Sequence, residues 1–232
     1  MIFVTGDTHG VWERLNEFEF KAEPAEGDSV IVAGDFGFIF DGGEHDELIL
    51  DALAKKSYTI LFVDGNHENH PLLNAYPVET WYGGKIHRIR HNVIHLMRGQ
   101  VFEIPVSEWE RRKVFTFGGA FSVDRGFRRL GESYWNEEIP SVDELEEGKR
   151  NLEAHNNTVD YIVTHTMPTS VIKLNGYYID DKMPDKPLTD FLDFVRENVS
   201  YTRWYAGHFH ENKYANDSDR IKIMYQSIDY LD

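Results

Sequence analysis

Five segments of this chain present Asp, Asn or His directly after a short apolar run. Met1-Ile2-Phe3-Val4 leads into Thr5-Gly6-Asp7-Thr8-His9-Gly10, and Ser29-Val30-Ile31-Val32-Ala33 leads into Gly34-Asp35. Thr59 to Val63 ends at Asp64-Gly65-Asn66-His67-Glu68, Tyr161 to Val163 at Thr164-His165, and Arg203 to Ala206 at Gly207-His208-Phe209-His210. Carboxylates, an amide and neutral imidazoles make a mixed N/O donor set, which suits Mn²⁺, Fe or Zn²⁺ better than the oxygen-loving Ca²⁺. In Asp7-Thr8-His9 and His208-Phe209-His210 the i, i+2 spacing puts both side chains on one face of an extended segment. These candidates outnumber the ligands of one ion, whereas two ions sharing one carboxylate would use them all. Two divalent ions about 3.5–4 Å apart can activate water and clamp a phosphoryl group for in-line attack.

Bringing these residues together requires strands that end at a common edge. Asp7, Asp35 and Asn66 recur at about the thirty-residue period of a strand–helix–strand unit, and α/β folds build their sites at strand ends. The runs are continuously apolar, as strands covered on both faces are. Between them, 11–21 sets Trp12, Leu15 and Phe18 on one helical face, and 44–56 does so loosely with Leu48, Leu50 and Leu53. Ser141-Val142-Asp143-Glu144 is a capping box opening a helix to about His155, and 189–198 is a further helix. The stretches 86–104 and 220–228 read as hairpins. An α/β chain with a mixed two-sheet core and outer helices is expected, as a single domain over 1–232. Asp180 to Pro187 is read as a surface loop or lid.

Composition narrows the function further. The chain has 232 residues, no cysteine and a formal charge of −16. Disulfides, thiolate metal sites and cysteine nucleophiles are excluded. The acidity argues against broad nucleic-acid binding, which needs a basic face. No apolar run approaches the roughly 20 residues of a membrane span, and the start leaves no room for a secretory signal. A cytoplasmic protein without a membrane partner is expected.

The ordered set from Asp7 to His210 resembles the calcineurin-like metallophosphoesterase superfamily. That resemblance implies a four-layer αββα sandwich with two divalent ions at the sheet ends, Mn²⁺ foremost and Fe or Zn²⁺ as alternatives. Asp7, His9 and His210 would hold one ion, Asn66, His165 and His208 the other, and Asp35 would bridge. Hydroxide held between the ions would attack phosphorus, with His67 as general acid and Asn66 also touching the phosphate. The expected substrate is a small phosphomonoester or phosphodiester. A nuclease is the alternative reading, and a scaffold that lost its chemistry is disfavoured because every ligand position and His67 are present.

The match departs from the phosphoprotein phosphatase branch at Gly34-Asp35-Phe36-Gly37-Phe38. Phe38 stands where that branch keeps a carboxylate to orient its histidine, and the phosphate-gripping arginine is missing. Asp64, Glu68 and Asp41 are then candidates to orient His67. Gly118 to Arg129 carries three arginines after a strand, so Arg125 and Arg128 are candidate substrate-binding residues, with a solvated basic turn as the alternative. Lys85 to Arg98 is read as a half-exposed hairpin and Glu137 to Glu147 as a solvated helix face. Trp135, Tyr177 and Tyr178 could line a nucleobase pocket or belong to the core.

Overall fold

The structure is a computed structural model that describes residues 1–215 and 220–231. Its first strands are β1 (Ile2–Thr5), β2 (Ser29–Val32), β3 (Thr59–Phe62), β4 (Val78–Trp81), β5 (Gly84–Arg90) and β6 (Val93–Leu96). The second half supplies β7 (Gln100–Pro105), β8 (Arg111–Phe117), β9 (Tyr161–Thr164), β10 (Arg203–Ala206), β11 (Lys213–Tyr214), β12 (Ile221–Ile223) and β13 (Ile228–Leu231). The helices are α1 (Trp12–Ala22), α2 (Glu44–Leu53), α3 (His70–Asn74), α4 (Val142–Ala154), α5 (Thr169–Leu174) and α6 (Lys186–Asn198).

Two mixed sheets result, with strand orders β13-β1-β2-β3-β6-β5-β4 and β11-β12-β10-β9-β8-β7. Each has four central parallel strands, flanked by antiparallel edges. Side chains along β1 and β2 alternate between two cores. Ile2, Val4 and Ile31 face Phe102, Val114 and Tyr205 between the sheets. Phe3, Val30 and Val32 instead meet Leu15 and Phe18 of α1 and Leu50 and Leu53 of α2. On the far side, Phe115, Phe117, Ile162 and Trp204 pack under Leu152, Phe191, Leu192 and Val195 of α4 and α6. Three apolar seams therefore separate four layers, and both faces of the central strands are covered. That is why their sequences run apolar without alternation.

The local signals differ in how far they carry. Ser141 and Glu144 form the reciprocal capping box, and α4 ends at Ala154. In α2, Leu50 and Leu53 are buried, but Leu48 is 71% exposed because residues two apart lie on different helical faces. The expected hairpins are revised. Within 86–104 only β5 and β6 pair with each other; β7 crosses to the second sheet and pairs with β8. Likewise 220–228 is no hairpin, because β12 joins β10 in one sheet while β13 joins β1 in the other. The apolar alternation of such segments marks strands but does not say which sheet takes them.

Lys85 to Arg98 is also more buried than a half-exposed hairpin. His87, His95 and Arg98 are all buried. Arg98 donates to Asp64 Oδ2 from Nε at 2.9 Å and from Nη2 at 2.6 Å, and His95 Nε2 lies 3.2 Å from Asp64 Oδ1. Burial alone would raise the Asp64 carboxyl; Arg98 and His95 hold it well below the usual carboxylate range. Breaking a buried pair by removing one partner costs about 3–5 kcal/mol. Arg98→Met should therefore lower unfolding free energy by about that amount in a denaturant titration. A loss under about 1 kcal/mol would show that the pair does not hold the fold.

Candidate metal centre and its surroundings

The sequence-predicted ligands arrive from strand ends. Asp7 and His9 follow β1, Asp35 follows β2, Asn66 follows β3, His165 follows β9, and His208 and His210 follow β10. Sharp backbone reversals then turn them inward. His9, Asp35, His208 and His210 have φ of 49°, 46°, 69° and 51°, left-handed values that non-glycine residues rarely adopt. Such residues cost of order 1–3 kcal/mol each and persist where the surroundings over-determine them. The surroundings do so here. The amides of Thr8 and His9 donate to the Asp35 carbonyl at 3.2 and 2.7 Å, and the His208 amide donates to Asp7 Oδ1 at 3.1 Å. The His67 amide donates to Asp35 Oδ1 at 2.8 Å. Close approach sets a further condition at Gly65, where a Cβ would stand 2.0 Å from Asp35 Oδ1.

Ligand atoms of Asp7, His9, Asp35 and His210 all lie within 4.8 Å of one another. His210 Nε2 is 3.0 Å from Asp7 Oδ2 and 3.0 Å from His9 Nε2. Beside this group, His165 Nε2 lies 2.9 Å from Asn66 Oδ1 and 3.4 Å from Asp35 Oδ1. His165 Nδ1 faces the Ala33 carbonyl at 2.9 Å, and a carbonyl only accepts. In the neutral ring Nε2 then carries a lone pair, so two acceptors face each other across 2.9 Å with no proton between them. That contact is unfavourable unless a cation joins it. Around one ion with bonds of about 2.1 Å, neighbouring donors stand about 3.0–3.4 Å apart, which is the spacing present. The His208 ring completes this side, its centroid 5.0 Å from that of His165.

Electrostatics favours the ligand form at His208, His9 and Asp35, whereas the hydrogen bond with Asp7 raises His210. Burial pulls His208 down to about 4 and also lowers His9. Burial works against the Asp35 carboxylate, but the His165, His67 and His9 rings hold it below its ordinary value. Neutral imidazoles and ionised carboxylates are the forms that bind metal.

Over residues 1–212 the chain matches the sequence profile of the calcineurin-like phosphoesterases. It belongs to that family. That family uses divalent metals. No curated protein matches it in sequence. Among solved structures it is similar to a Staphylococcus aureus protein provisionally designated a 5′-nucleotidase, crystallised with alpha-ketoglutarate. That likeness has a TM-score of 0.51 at 12% identity and covers 97% of this chain but 48% of the other, so this chain spans about half its length. A phosphopantetheinyl hydrolase from Mycobacterium tuberculosis aligns at a TM-score of 0.49 and 15% identity, over 97% of this chain and 87% of that one. The two sheets with their covering helices, and the likeness to the Staphylococcus aureus structure, make the four-layer αββα sandwich the fold of this chain.

His67 stands beside the ligands. Its ring centroid lies 5.5 Å from that of His9. None of Asp64, Glu68 or Asp41 is its partner. Asp64 is taken by Arg98, Glu68 accepts from the Phe36 amide at 2.6 Å, and Asp41 accepts from the Gly43 amide at 2.6 Å. Instead Arg128 Nη2 contacts His67 Nδ1, while Arg128 Nε is held by Asp124 Oδ2 at 2.8 Å. Burial lowers the His67 imidazole; Asp35 opposes this and Arg128 adds to it. Arg125 is directed elsewhere: its Nε donates to Glu138 Oε1 at 2.9 Å, and its guanidinium lies between the Phe121 and Tyr134 rings.

Glu138 and Ser122 escaped the sequence reading. Glu138 is fully buried, contrary to the solvated face expected of 137–147, because it precedes α4 in a short 3₁₀ turn, 136–138, that tucks inward. Burial pushes its carboxyl up, and bonds from Ser122 and Arg125 oppose this. Trp135 packs edge-on against Phe40 and is 7% exposed, whereas Tyr177 lies on Phe209 and Tyr178 is exposed. Phe38 is buried against Phe36. Among the described residues no helix is long and apolar enough to cross a membrane.

The Gly65 contact gives a direct check on the site. Gly65→Ala should displace the Asp35 carboxylate and cost about 1–3 kcal/mol, read by equilibrium unfolding in chelator. Wild-type stability in that variant would mean the approach at Gly65 is not a constraint.

Proposed function

We propose that this protein is a two-ion hydrolase of a small phosphomonoester or phosphodiester. The observation that carries the reading is the divided carboxylate of Asp35. One oxygen, Oδ2, lies 3.8 Å from His9 Nδ1, and the other, Oδ1, lies 3.4 Å from His165 Nε2. A carboxylate whose two oxygens face two separate donor groups is suited to bridging. On this reading Asp7, His9 and His210 hold one ion, Asn66, His165 and His208 the other, and Asp35 both. Mn²⁺ is the first candidate, with Fe or Zn²⁺ as alternatives. Bound there, divalent ions polarise phosphoryl oxygens and lower the pKa of water.

The remaining roles fall to the chain's own side chains. His67 sits outside the ligand cluster with its ring half-exposed, and it is assigned the proton donated to the departing oxygen. In the neutral ring Arg128 donates to Nδ1 and the proton sits on Nε2; when the ring is protonated both nitrogens carry protons, so the Arg128 bond is given up and Nε2 is the nitrogen that donates. An anionic phosphoryl group beside the ring offsets the Arg128 charge and favours the protonated imidazole. Arg128 thereby serves both histidine placement and anion attraction. Arg125, paired to Glu138, acts on the shape of the loop instead.

Two measurements test this. Chelation should abolish hydrolysis of nitrophenyl phosphate esters and Mn²⁺ should restore it in the native chain but not in Asp35→Asn; equal activity in that variant would remove the bridging role. His67→Ala should keep its bound metal while turnover falls by roughly 10²–10⁴-fold. Unchanged turnover in a folded, metal-loaded His67→Ala sample would remove the acid role.

A further inference from the structure

An amide ligand has a problem that a carboxylate lacks: its two ends carry opposite polarity. Only Oδ1 of Asn66 can face a cation, and the terminal torsion of an asparagine is broad and roughly two-fold. Something must choose the end. Asn66 Nδ2 donates to Ser122 Oγ at 3.0 Å. The Ser122 hydroxyl has one proton, and Glu138 Oε2 at 2.7 Å takes it in preference to the Asn66 backbone carbonyl, which lies 3.5 Å away. What remains toward Asn66 is a lone pair, which accepts an N–H and repels a carbonyl oxygen.

Glu138 cannot turn away. Its other oxygen, Oε1, accepts from the Ser122 amide at 2.8 Å and from Arg125 Nε at 2.9 Å. All three members are shut off from water: Glu138 is 0% exposed, Ser122 1% and Asn66 2%. Burial keeps water from substituting for any bond in the chain. The direction of each hydrogen bond is fixed from the carboxylate outward, and the last one leaves Asn66 Oδ1 facing His165 Nε2 at 2.9 Å.

We propose that Glu138 and Ser122 are positioning residues which select the metal-facing end of the Asn66 amide. The proposal rests on reading the site as a two-ion centre. It also gives the Arg125–Glu138 pair a purpose: Arg125 anchors the carboxylate on which the order of bonds depends.

The test is a double-mutant cycle read by Mn²⁺ binding alone, in calorimetric titrations of the chelator-stripped chain, with melts in chelator to check folding. Ser122→Ala should weaken one of the two Mn²⁺ sites by about 10–100-fold and leave the other unchanged. Ser122→Thr, which keeps the hydroxyl, should recover most of that loss. In an Asn66→Asp background the carboxylate has no wrong end, so Ser122→Ala should then change Mn²⁺ affinity little. Equal weakening by Ser122→Ala in both backgrounds, or none in either, would overturn the positioning role. Should Ser122→Ala not fold, Glu138→Gln takes its place in the cycle, with the same contrast between backgrounds expected. No Mn²⁺ uptake by the native chain would instead overturn the two-ion reading on which the proposal stands.

Discussion

The ion pair of Asp64 with Arg98 joins parts of the molecule that the rest of the structure needs held together. Asp64 closes β3 in the first sheet, and Arg98 lies where the chain leaves β6 for β7 in the second. The Asp64 carbonyl accepts from the Gly119 amide at 2.9 Å, just beyond β8. One residue therefore fixes the sheet-to-sheet spacing at the edge where Asn66 and His67 emerge and where the loop bearing Ser122 and Arg128 begins. Packing between the sheets is apolar and non-directional, so it resists separation better than sliding. A guanidinium that donates from both Nε and Nη2 to one carboxylate oxygen is directional, and it sets the register that packing leaves open.

The site places a second demand on the fold. Two buried carboxylates, Asp7 and Asp35, stand among His9, His67, His165, His208 and His210, and the backbone bends into left-handed conformations at His9, Asp35, His208 and His210. Each such residue is unfavourable alone. They are kept by amide bonds to the Asp35 carbonyl and the Asp7 carboxylate, groups that the strands have already placed. The site is thus an extension of sheet geometry beyond the strand ends. Glu68 does the same on the underside, bracing the Phe36 amide with a carboxyl that burial and Asp35 push well above its ordinary value.

Much of this was legible in the amino-acid sequence, and for a definite reason. A strand buried on both faces must be apolar throughout, so the polar residue that ends it stands out; Asp7, Asp35, Asn66, His165 and His208 could be picked on that contrast alone. The capping box at Ser141 was legible because it is local. What stayed hidden depends on contacts far along the chain. Glu138 sits in an acidic run that reads as solvated, and only the return of the 121–135 loop buries it. His87, His95 and Arg98 alternate with apolar residues as an exposed hairpin would, yet Asp64 turns them inward. Strands β12 and β13 lie four residues apart and enter different sheets, a choice of partner that no local pattern encodes.

The division of labour in the site follows from the same distinction. Donor atoms attached to strand ends inherit the rigidity of two sheets, whereas Ser122, Asp124, Arg128 and Glu138 come from a loop between β8 and α4. That loop reaches two candidate site residues through side-chain bonds, Asn66 through Ser122 and His67 through Arg128. On the proposed reading, one of these contacts bears on where the Asn66 amide points and the other on where a proton is presented. The loop also exposes Val123, Phe127 and Leu130, at 79%, 98% and 57%. A chain can alter those exposed residues without disturbing the sheets, but it cannot alter Ser122, Glu138 or Arg128 without reaching Asn66 or His67. One loop therefore has two faces, an outer one that solvent leaves free and an inner one tied by hydrogen bonds to Asn66 and His67.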